Sequence, residues 1–153
     1  MKVTIRCANA GDIDTLVSLL QELFSIESDF ACDPDKQRRG LELLLAGGQD
    51  CCIYVADYQG TAVGMCTLQR LVSTAEGGYV GLVEDLIIAR SFRGRGIGRQ
   101  LLSWIEIRAK TQGLTRLQLL ADRTNQPALS FYRKEGWVTT DLVGLRKLMP
   151  IRN

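Results

Sequence analysis

Residues 93–99, with the sequence RGRGIGR, have the composition and spacing that bind a phosphate group. Glycine lets the backbone approach an anion closely, successive N–H groups can point at it, and a helix start adds about half a positive charge. The residues expected around a pyrophosphate are Arg93, Gly94, Arg95, Gly96, Ile97, Gly98 and Arg99. No Gly-Lys-Ser/Thr follows, which excludes a Walker loop, and the glycine spacing differs from that of a dinucleotide loop. On this segment alone, a glycine turn with a solvated basic face remains an alternative.

Residues 125–137 begin with Asn125 and carry Tyr132 in their second half. Asparagine is a preferred N-cap, so Asn125 could serve only to start a helix. Tyr132 stands close to Phe131 and Trp137 and could be an ordinary core aromatic. Its phenol, with a pKa near 10, could also give a proton to a departing thiolate whose pKa is about 8.5.

Glu84 and Asp85 are the carboxylates of the otherwise apolar run 79–89. Strand alternation is expected to send their side chains to opposite faces of a sheet. A carboxylate on such a strand can accept a proton in catalysis, or it can form a salt bridge to a nearby arginine. The residues alone leave both roles open.

Two motifs, in this order and at this spacing, resemble the signatures of the GNAT superfamily of acyl-CoA-dependent N-acyltransferases. RxxGxG at residues 93–98 resembles the pyrophosphate signature of that family, and NxxAxxFYxxxGW at residues 125–137 resembles its second signature. The resemblance covers residues 79–137 strongly and the rest of the chain only through the order of its elements.

The resemblance implies an α/β (α+β) fold: a mixed, mostly antiparallel β-sheet flanked by helices, with a bulged and splayed central strand pair. The strand around residues 84–88 would separate from the strand at 117–121. Pantetheine would then enter the gap and pair with the main chain, as an added strand does. The residues implied for this contact are Leu86, Ile87 and Ile88.

The resemblance also implies roles for individual side chains. Asn125 would contact the cofactor, and Tyr132 would lie beside the CoA sulfur as a catalytic residue. An amine acceptor is mostly protonated at neutral pH and only its free base attacks a thioester, so a proton acceptor is required. Family members often carry a base on the bulged strand, which favours Glu84 over Asp85 as the second catalytic residue, acting through water.

These features predict an enzyme that transfers the acetyl group of acetyl-CoA directly to a primary amine, with no metal. The acidic loop 27–35 favours a small cationic amine as the substrate, and a protein N-terminus or lysine side chain is the alternative. A non-catalytic acyl-CoA sensor is disfavoured because Tyr132 and the carboxylates near the gap are present. We expect neither nucleic acid nor a membrane as a partner, and a homodimer is left open.

Hydrophobic periodicity places these residues in the element order βααβββαβαββ. Helices are expected at residues 12–25, after an N-cap at Asp33, after Gly98 and at residues 125–135. Strands are expected at residues 3–6, 52–57, 62–71, 79–89, 114–122, 137–141 and 144–149. The first two long strands are expected to form a hairpin across Gln59 and Gly60.

The composition of the 153-residue chain fits one globular domain over residues 1–153, with 46% hydrophobic and 24% charged residues. A net charge of +2 is too small to favour a nucleic acid. Five cysteines without CxxC spacing, and no histidine, argue against zinc and against disulfides. Reduced cysteines, and the lack of a signal sequence or a long apolar stretch, predict a cytoplasmic protein.

Overall fold

The structure, a computed structural model, describes residues 2–27 and 29–150. They fall into two compact units, one ending at Leu119 and the other beginning at Leu120. The elements of the first unit are β1 (Thr4–Cys7), α1 (Ile13–Phe24), α2 (Pro34–Ala46), β2 (Cys51–Tyr58), β3 (Thr61–Ser73), β4 (Gly78–Ile88), α3 (Ile97–Thr111) and β5 (Leu117–Gln118). The second unit contains α4 (Gln126–Lys134). That the chain works as one domain stays a prediction.

The strands of the first unit form one five-stranded sheet in the order β1-β2-β3-β4-β5. The first four strands run antiparallel to their neighbours, and β5 pairs with β4 in parallel. Gln59 and Gly60 join β2 to β3 with φ angles of 53° and 84°, the positive values that a two-residue hairpin turn requires. The predicted hairpin and the mixed, mostly antiparallel sheet are therefore confirmed.

Capping side chains set the starts of a short 3-10 turn before α1 and of α2, close to where the sequence predicts helix starts. Asn9 and Asp12 form a capping box for the turn Ala10–Asp12, in which Asp12 accepts a hydrogen bond from the N–H of Asn9 at 2.8 Å, and α1 follows from Ile13. Asp33 accepts one from the N–H of Lys36 at 3.1 Å, and Pro34 is the first residue of α2. These carboxylates satisfy N–H groups that a helix start leaves without intrahelical partners.

Helices cover both faces of the sheet. α1 and α2 pack on one face, in a cluster that includes the fully buried Val55 and Met65. Tyr54 precedes Val55 and points to the other face, where Leu101 and Ile105 of α3 are also fully buried. This burial on both sides fixes β4, whose C-terminal half carries the candidate site.

A β-bulge interrupts β4 beside β3. Glu84 pairs with Thr67 and Ile87 pairs with Met65, so two residues of β4 lie opposite one residue of β3. Asp85, inside the bulge, has a φ of 54°, a left-handed conformation that aspartate tolerates better than most residues. The predicted bulge is present, and it interrupts the regular strand on which the prediction of opposite faces for the two carboxylates depends.

β5 is much shorter than the strand predicted over residues 114–122. Only Leu117 and Gln118 pair with β4, opposite Gly81 and Leu82. The pairing stops just before the bulge bends β4, because a ladder continues only while its neighbour lies alongside. The predicted length is therefore wrong, whereas the short pairing agrees with a splayed pair of strands.

In the second unit, α4 begins at the predicted cap, where Asn125 accepts a hydrogen bond from the N–H of Ala128 at 3.1 Å. Residues 137–150 include no strand, so the strands predicted at 137–141 and 144–149 are wrong. Val138 and Leu145 of this segment are 84% and 93% exposed. A β-rich composition produces a strand only where a neighbouring strand supplies hydrogen-bond partners, and no described strand does so for these residues.

Candidate active site

The turn before α3 has the backbone conformation that a phosphate site requires. Gly94 and Gly96 have φ angles of 72° and 74°, in the left-handed region that glycine enters at no steric cost. Gly96 is the N-cap of the 15-residue helix α3 and has no side chain with which to bond the first N–H groups. These groups, at the positive end of a long helix, can face an anion. Ile97, 2% exposed, anchors the start of the helix in the core.

The side chain of Arg93 braces this turn. Its Nη2 donates to Oε1 of Glu22 in α1 at 2.6 Å, and its Nε donates to the carbonyl oxygen of Ile88 at 2.8 Å. The sequence groups Arg93 with the residues around the pyrophosphate. In the structure its guanidinium ties the turn to the end of β4 and to α1, and the backbone after it forms the glycine turn itself.

Arg95 and Arg99 are exposed beside the same turn. Nη2 of Arg95 donates to the carbonyl oxygen of Ser91 at 3.1 Å, and its guanidinium carbon lies 5.6 Å from the centre of the Phe92 ring. These arginines place positive charge beside the turn at residues 93–99, where it would attract a phosphate.

The main-chain N–H and C=O groups of Ile88, at the end of β4, point away from β3. The N–H of Ala89 donates to the carbonyl oxygen of Val63 on β3 at 2.9 Å. Since successive residues of a strand direct these groups to opposite sides, those of Ile88 face the other edge. The carbonyl oxygen of Ile88 already accepts from Arg93, which leaves its N–H as the better candidate for pairing with an extended ligand. Ile87, 4% exposed, lies in the core.

Glu84 has an exposed side chain at the edge of the bulge. Its Oε2 accepts a hydrogen bond from Nε2 of Gln69 at 3.1 Å. Its carbonyl oxygen accepts one from Oγ1 of Thr67, also at 3.1 Å. The partner of its carboxylate is therefore an amide, and not the arginine that the sequence leaves open.

Asp85, the next residue, is half-buried. The pKa of Asp85 is raised to about 7. Burial is the largest cause, and the negative charges of Glu84 and Glu27 add to it. A carboxyl group that titrates near neutral pH can both accept a proton and release it, as a general base must. Its left-handed backbone at such a position is typical of functional sites.

A cavity of about 240 Å³ opens beside Asp85, between α1, α2 and β4. It is lined by Leu20, Phe24, Lys36, Gln37, Gly40, Leu41, Leu44 and Asp85. Most of this wall is apolar, and Nζ of Lys36 lies 3.4 Å from Oδ2 of Asp33. Sequence reasoning missed the cavity because its residues come from three elements and carry no motif.

A larger hollow, of about 380 Å³, lies at the opposite end of β4, next to Ser73, Gly81 and Arg116. None of the described residues that line it is a carboxylate, and the bulged segment 84–88 takes no part in its wall. The smaller cavity at Asp85 is therefore the better candidate for an acceptor site.

Asn125 and Tyr132 lie in the second unit, at the start and in the body of α4. Oδ1 of Asn125 is engaged by the N–H of Ala128, so its amide nitrogen is the group left to donate. Tyr132 is half-buried, with its ring centre 5.4 Å from that of Phe131 and 6.0 Å from that of Trp137. The aromatic packing predicted for Tyr132 is present, and its catalytic role stays a prediction.

Within residues 2–27 and 29–150, no three His, Cys, Asp or Glu side chains form a group that could hold a metal ion. The five cysteines are free thiols. No helix in the described part of the chain combines the length and apolar composition needed to cross a bilayer.

Comparison with known proteins identifies the class of enzyme. Residues 13–137 match the acetyltransferase (GNAT) family. The aminoalkylphosphonate N-acetyltransferase of Salmonella typhimurium is 27% identical over 87% of this chain and 83% of its own length. The IAA acetyltransferase of Azospirillum brasilense is 32% identical over 81% of this chain and 77% of its own length.

A solved structure shows the same fold. A possible acetyltransferase from Clostridium difficile 630 aligns with a TM-score of 0.85 over 99% of this chain and all of its own, at 18% identity. With the family match, which covers most of the chain, the class is settled as acetyltransferase. The chain belongs to the acetyltransferase (GNAT) family, and the resemblance seen in its two motifs is confirmed.

Proposed function

We propose that this acetyltransferase moves the acetyl group of acetyl-CoA directly to the nitrogen of a small primary amine. The observation that carries the proposal is Asp85, with a pKa of about 7, in the wall of a small and mostly apolar cavity. An amine is protonated at neutral pH and must lose a proton before it attacks, so a carboxylate there has a defined task. The relative from Salmonella typhimurium is named for acetylating an aminoalkylphosphonate, which is also an amine.

The turn at residues 93–99 fits the pyrophosphate of acetyl-CoA, which supplies the activated thioester. A Cβ built on Gly94 or Gly96 would meet no atom within 4 Å, so open space lies beside the backbone where an anion would bind. The N–H groups at the start of α3 would hold the phosphate oxygens. Main-chain groups of Leu86 and Ile88 would pair with pantetheine, and the amide nitrogen of Asn125 would add a contact.

Asp85 is our preferred proton acceptor. Glu84, favoured by the family resemblance, is exposed and already accepts a hydrogen bond from Gln69. Asp85 is more buried, has the raised pKa and lines the cavity. A base whose pKa lies near the working pH is the more efficient catalyst. The negative charges of Glu84 and Glu27 would attract the cationic amine to the same place.

Tyr132 is our proposed proton donor to the departing sulfur. A thiolate with a pKa of about 8.5 can take a proton from a phenol as the carbon–sulfur bond breaks. Asp85 takes one proton from the ammonium group, and the free amine attacks the thioester carbonyl carbon. The carbon–sulfur bond breaks as Tyr132 gives its proton to the sulfur, and the second nitrogen proton returns to the Tyr132 oxygen. The transfer is then complete with no covalent enzyme intermediate. None of the five cysteines is required, and their reduced state fits the cytoplasm as the place of action.

The size of the cavity favours a small acceptor over a polypeptide. Its volume of about 240 Å³ lies below the roughly 300–1,000 Å³ of sites that hold drug-sized ligands.

A screen of small amines and short peptides with acetyl-CoA, following release of free thiol, tests the proposal. We expect turnover with at least one small primary amine and none with peptides. The matched control is Asp85→Asn, which should bind acetyl-CoA as the parent does and turn the same amine over more slowly at pH 7. Efficient turnover of peptides alone would overturn the choice of acceptor, and tight acetyl-CoA binding without turnover of any amine or peptide would favour a sensor.

A further inference from the structure

Gly40 lies in the middle of the 13-residue helix α2, where glycine is the least favourable residue apart from proline. Its φ lies outside the left-handed region, so the backbone does not require glycine. Close packing does not require it either, because a Cβ at this position would meet no heavy atom within 4 Å. Neither conformation nor packing therefore explains this residue.

The position of Gly40 on the helix supplies a reason. Lys36 and Leu44 lie four residues before and after it, so the three share one face of α2. All three line the cavity that contains Asp85. A side chain at position 40 would project from this face into the open space that the structure shows there.

The other residues that line the cavity also limit the chemistry of the occupant. Leu20 and Phe24 of α1 face the cavity, and Leu41 of α2 is 1% exposed beneath it. Asp85 is the acidic group among the lining residues, and Lys36 at the rim is paired with Asp33. A cationic nitrogen would be favoured at the carboxyl, and the rest of the molecule would contact hydrocarbon.

We infer that Gly40 is a specificity-determining residue, whose missing side chain makes room for the apolar alkyl or aryl body of an amine that places its nitrogen at Asp85. The inference rests on the proposed function and narrows its substrate class. An acceptor with an anionic group on a short chain would be disfavoured, because Asp85 and the nearby Glu27 and Glu84 are negative.

The test uses Gly40→Ala, Gly40→Leu and the control Glu42→Leu, which adds the same leucine to an exposed position of the same helix. Each protein is assayed with ethylamine, 2-phenylethylamine and 2-aminoethylphosphonate, and its affinity for acetyl-CoA is measured by calorimetry. The parent should prefer 2-phenylethylamine. Gly40→Leu should reduce kcat/KM for this amine about tenfold more than for ethylamine. The leucine side chain would occupy the space of the phenyl group, which ethylamine lacks.

Acetyl-CoA affinity should stay within about twofold in all three variants, and Glu42→Leu should retain the parent's preference. Gly40→Ala should raise Tm by about 2–4 °C, because alanine is the better helix former and nothing obstructs its Cβ. A lower Tm for Gly40→Ala would show that the glycine is structurally required and would overturn the inference. Equal effects of Gly40→Leu on both amines, or a preference for the phosphonate, would do the same.

Failure of the proposed function has a different signature. If the parent acetylates none of the amines in the wider screen, the acceptor assignment falls, whatever the Gly40 variants do. If the parent acetylates 2-phenylethylamine and Gly40→Leu acetylates it equally well, only the inference about Gly40 falls.

Discussion

The turn at residues 93–99 and the cavity at Asp85, our two proposed binding sites, adjoin the same strand, β4, but they would recognise their ligands by different means. The turn offers backbone N–H groups, and its special conformation depends on Gly94 and Gly96. The cavity offers side chains from α1, α2 and β4, with one carboxyl group whose pKa is raised by burial. The turn consists of seven consecutive residues and can be recognised in the sequence. The cavity is formed by residues of three separate elements, which come together only when the chain folds.

If both proposals hold, this difference would let related enzymes share a cosubstrate and differ in acceptor. Backbone recognition needs a few glycines at fixed spacing, and many surrounding sequences can supply the rest. A side-chain cavity changes with every residue that lines it, including a single missing Cβ such as that of Gly40. Substitutions in the two regions should therefore have separable effects on acetyl-CoA and on the amine.

The largest effect is expected for Gly96→Val. Valine is strained at a φ of 74°, and its side chain would occupy the open space where we place the pyrophosphate. Binding of acetyl-CoA should fall below detection at millimolar concentration by calorimetry, with Tm lowered only modestly because Gly96 is exposed.

Gly113→Val is the matched control for this variant. Gly113 has a φ of 70° and follows the C-terminal end of α3. Valine there meets the same backbone strain at the opposite end of the helix from the turn at residues 93–99. Its acetyl-CoA affinity should match that of the parent. Equal affinity in the Gly96 variant would contradict backbone recognition at the turn.

Tyr132→Phe should lower kcat about 10²- to 10⁴-fold, the usual contribution of one proton-transfer group. The acetyl-CoA dissociation constant should change little, because the hydroxyl acts mainly as the sulfur departs. Steady-state rates and calorimetry on the same preparation check both statements. The neighbouring Phe131→Leu serves as a packing control, and an unaffected kcat in Tyr132→Phe would return the residue to a purely structural role.

Asp85→Asn should reduce kcat/KM for the amine about tenfold to hundredfold at pH 7, with a smaller defect at pH 9, where more of the acceptor is already unprotonated. In the parent, kcat/KM should fall as the pH drops below about 7, the pKa of Asp85. Glu84→Gln should keep this fall in kcat/KM, with its midpoint moved to lower pH, because the charge of Glu84 contributes to the raised pKa of Asp85. A larger defect in Glu84→Gln than in Asp85→Asn would reverse our assignment of the base.

Asp85→Asn should also be more stable than the parent at high pH. The folded pKa of Asp85, about 7, is above its ordinary value of 3.8, so the folded protein binds this proton more tightly than the unfolded chain does. The contribution of Asp85 to the stability of the parent therefore declines as the pH rises from about 4 through 7. Asp85→Asn should gain about 1–3 kcal/mol at pH 8 and almost nothing at pH 4, as measured by urea denaturation.

The sequence predicts well those features that depend on neighbouring residues. The cap at Asp33 and the hairpin at Gln59 and Gly60 follow from local chemistry, and the structure has them. The helix predicted after Gly98 is also present, and it begins two residues earlier, at Ile97. The bulge in β4 came only through the family resemblance. Its effect on Asp85 was missed, because alternation rules assume a regular strand.

Features that depend on distant partners were predicted poorly. The run 114–122 is apolar enough for a long strand, yet β5 has two residues because β4 departs at its bulge. The cavity escaped prediction for the same reason, since Leu20, Gly40 and Asp85 are far apart in the sequence and meet only through the packing of α1 and α2 on the sheet.

The smallest effect is expected for Glu22→Gln, which tests whether the two regions are energetically linked. Oε1 of Glu22 accepts a hydrogen bond from Nη2 of Arg93, in the turn at residues 93–99. Glu22 also lies near the end of α1, two residues before Phe24 of the cavity wall. Both members of this ion pair are partly exposed, and such pairs contribute about 0.2–1 kcal/mol. The KM for the amine should rise no more than about fivefold, since 1.4 kcal/mol corresponds to tenfold. The acetyl-CoA affinity should change less than twofold, because Nε of Arg93 still donates to Ile88 and the glycine backbone is unaltered. Glu42→Gln, the same change on the outer face of α2, should alter neither constant. Equal weakening of both ligands by Glu22→Gln would mean that the turn and the cavity respond as one unit, contrary to the separation drawn between them.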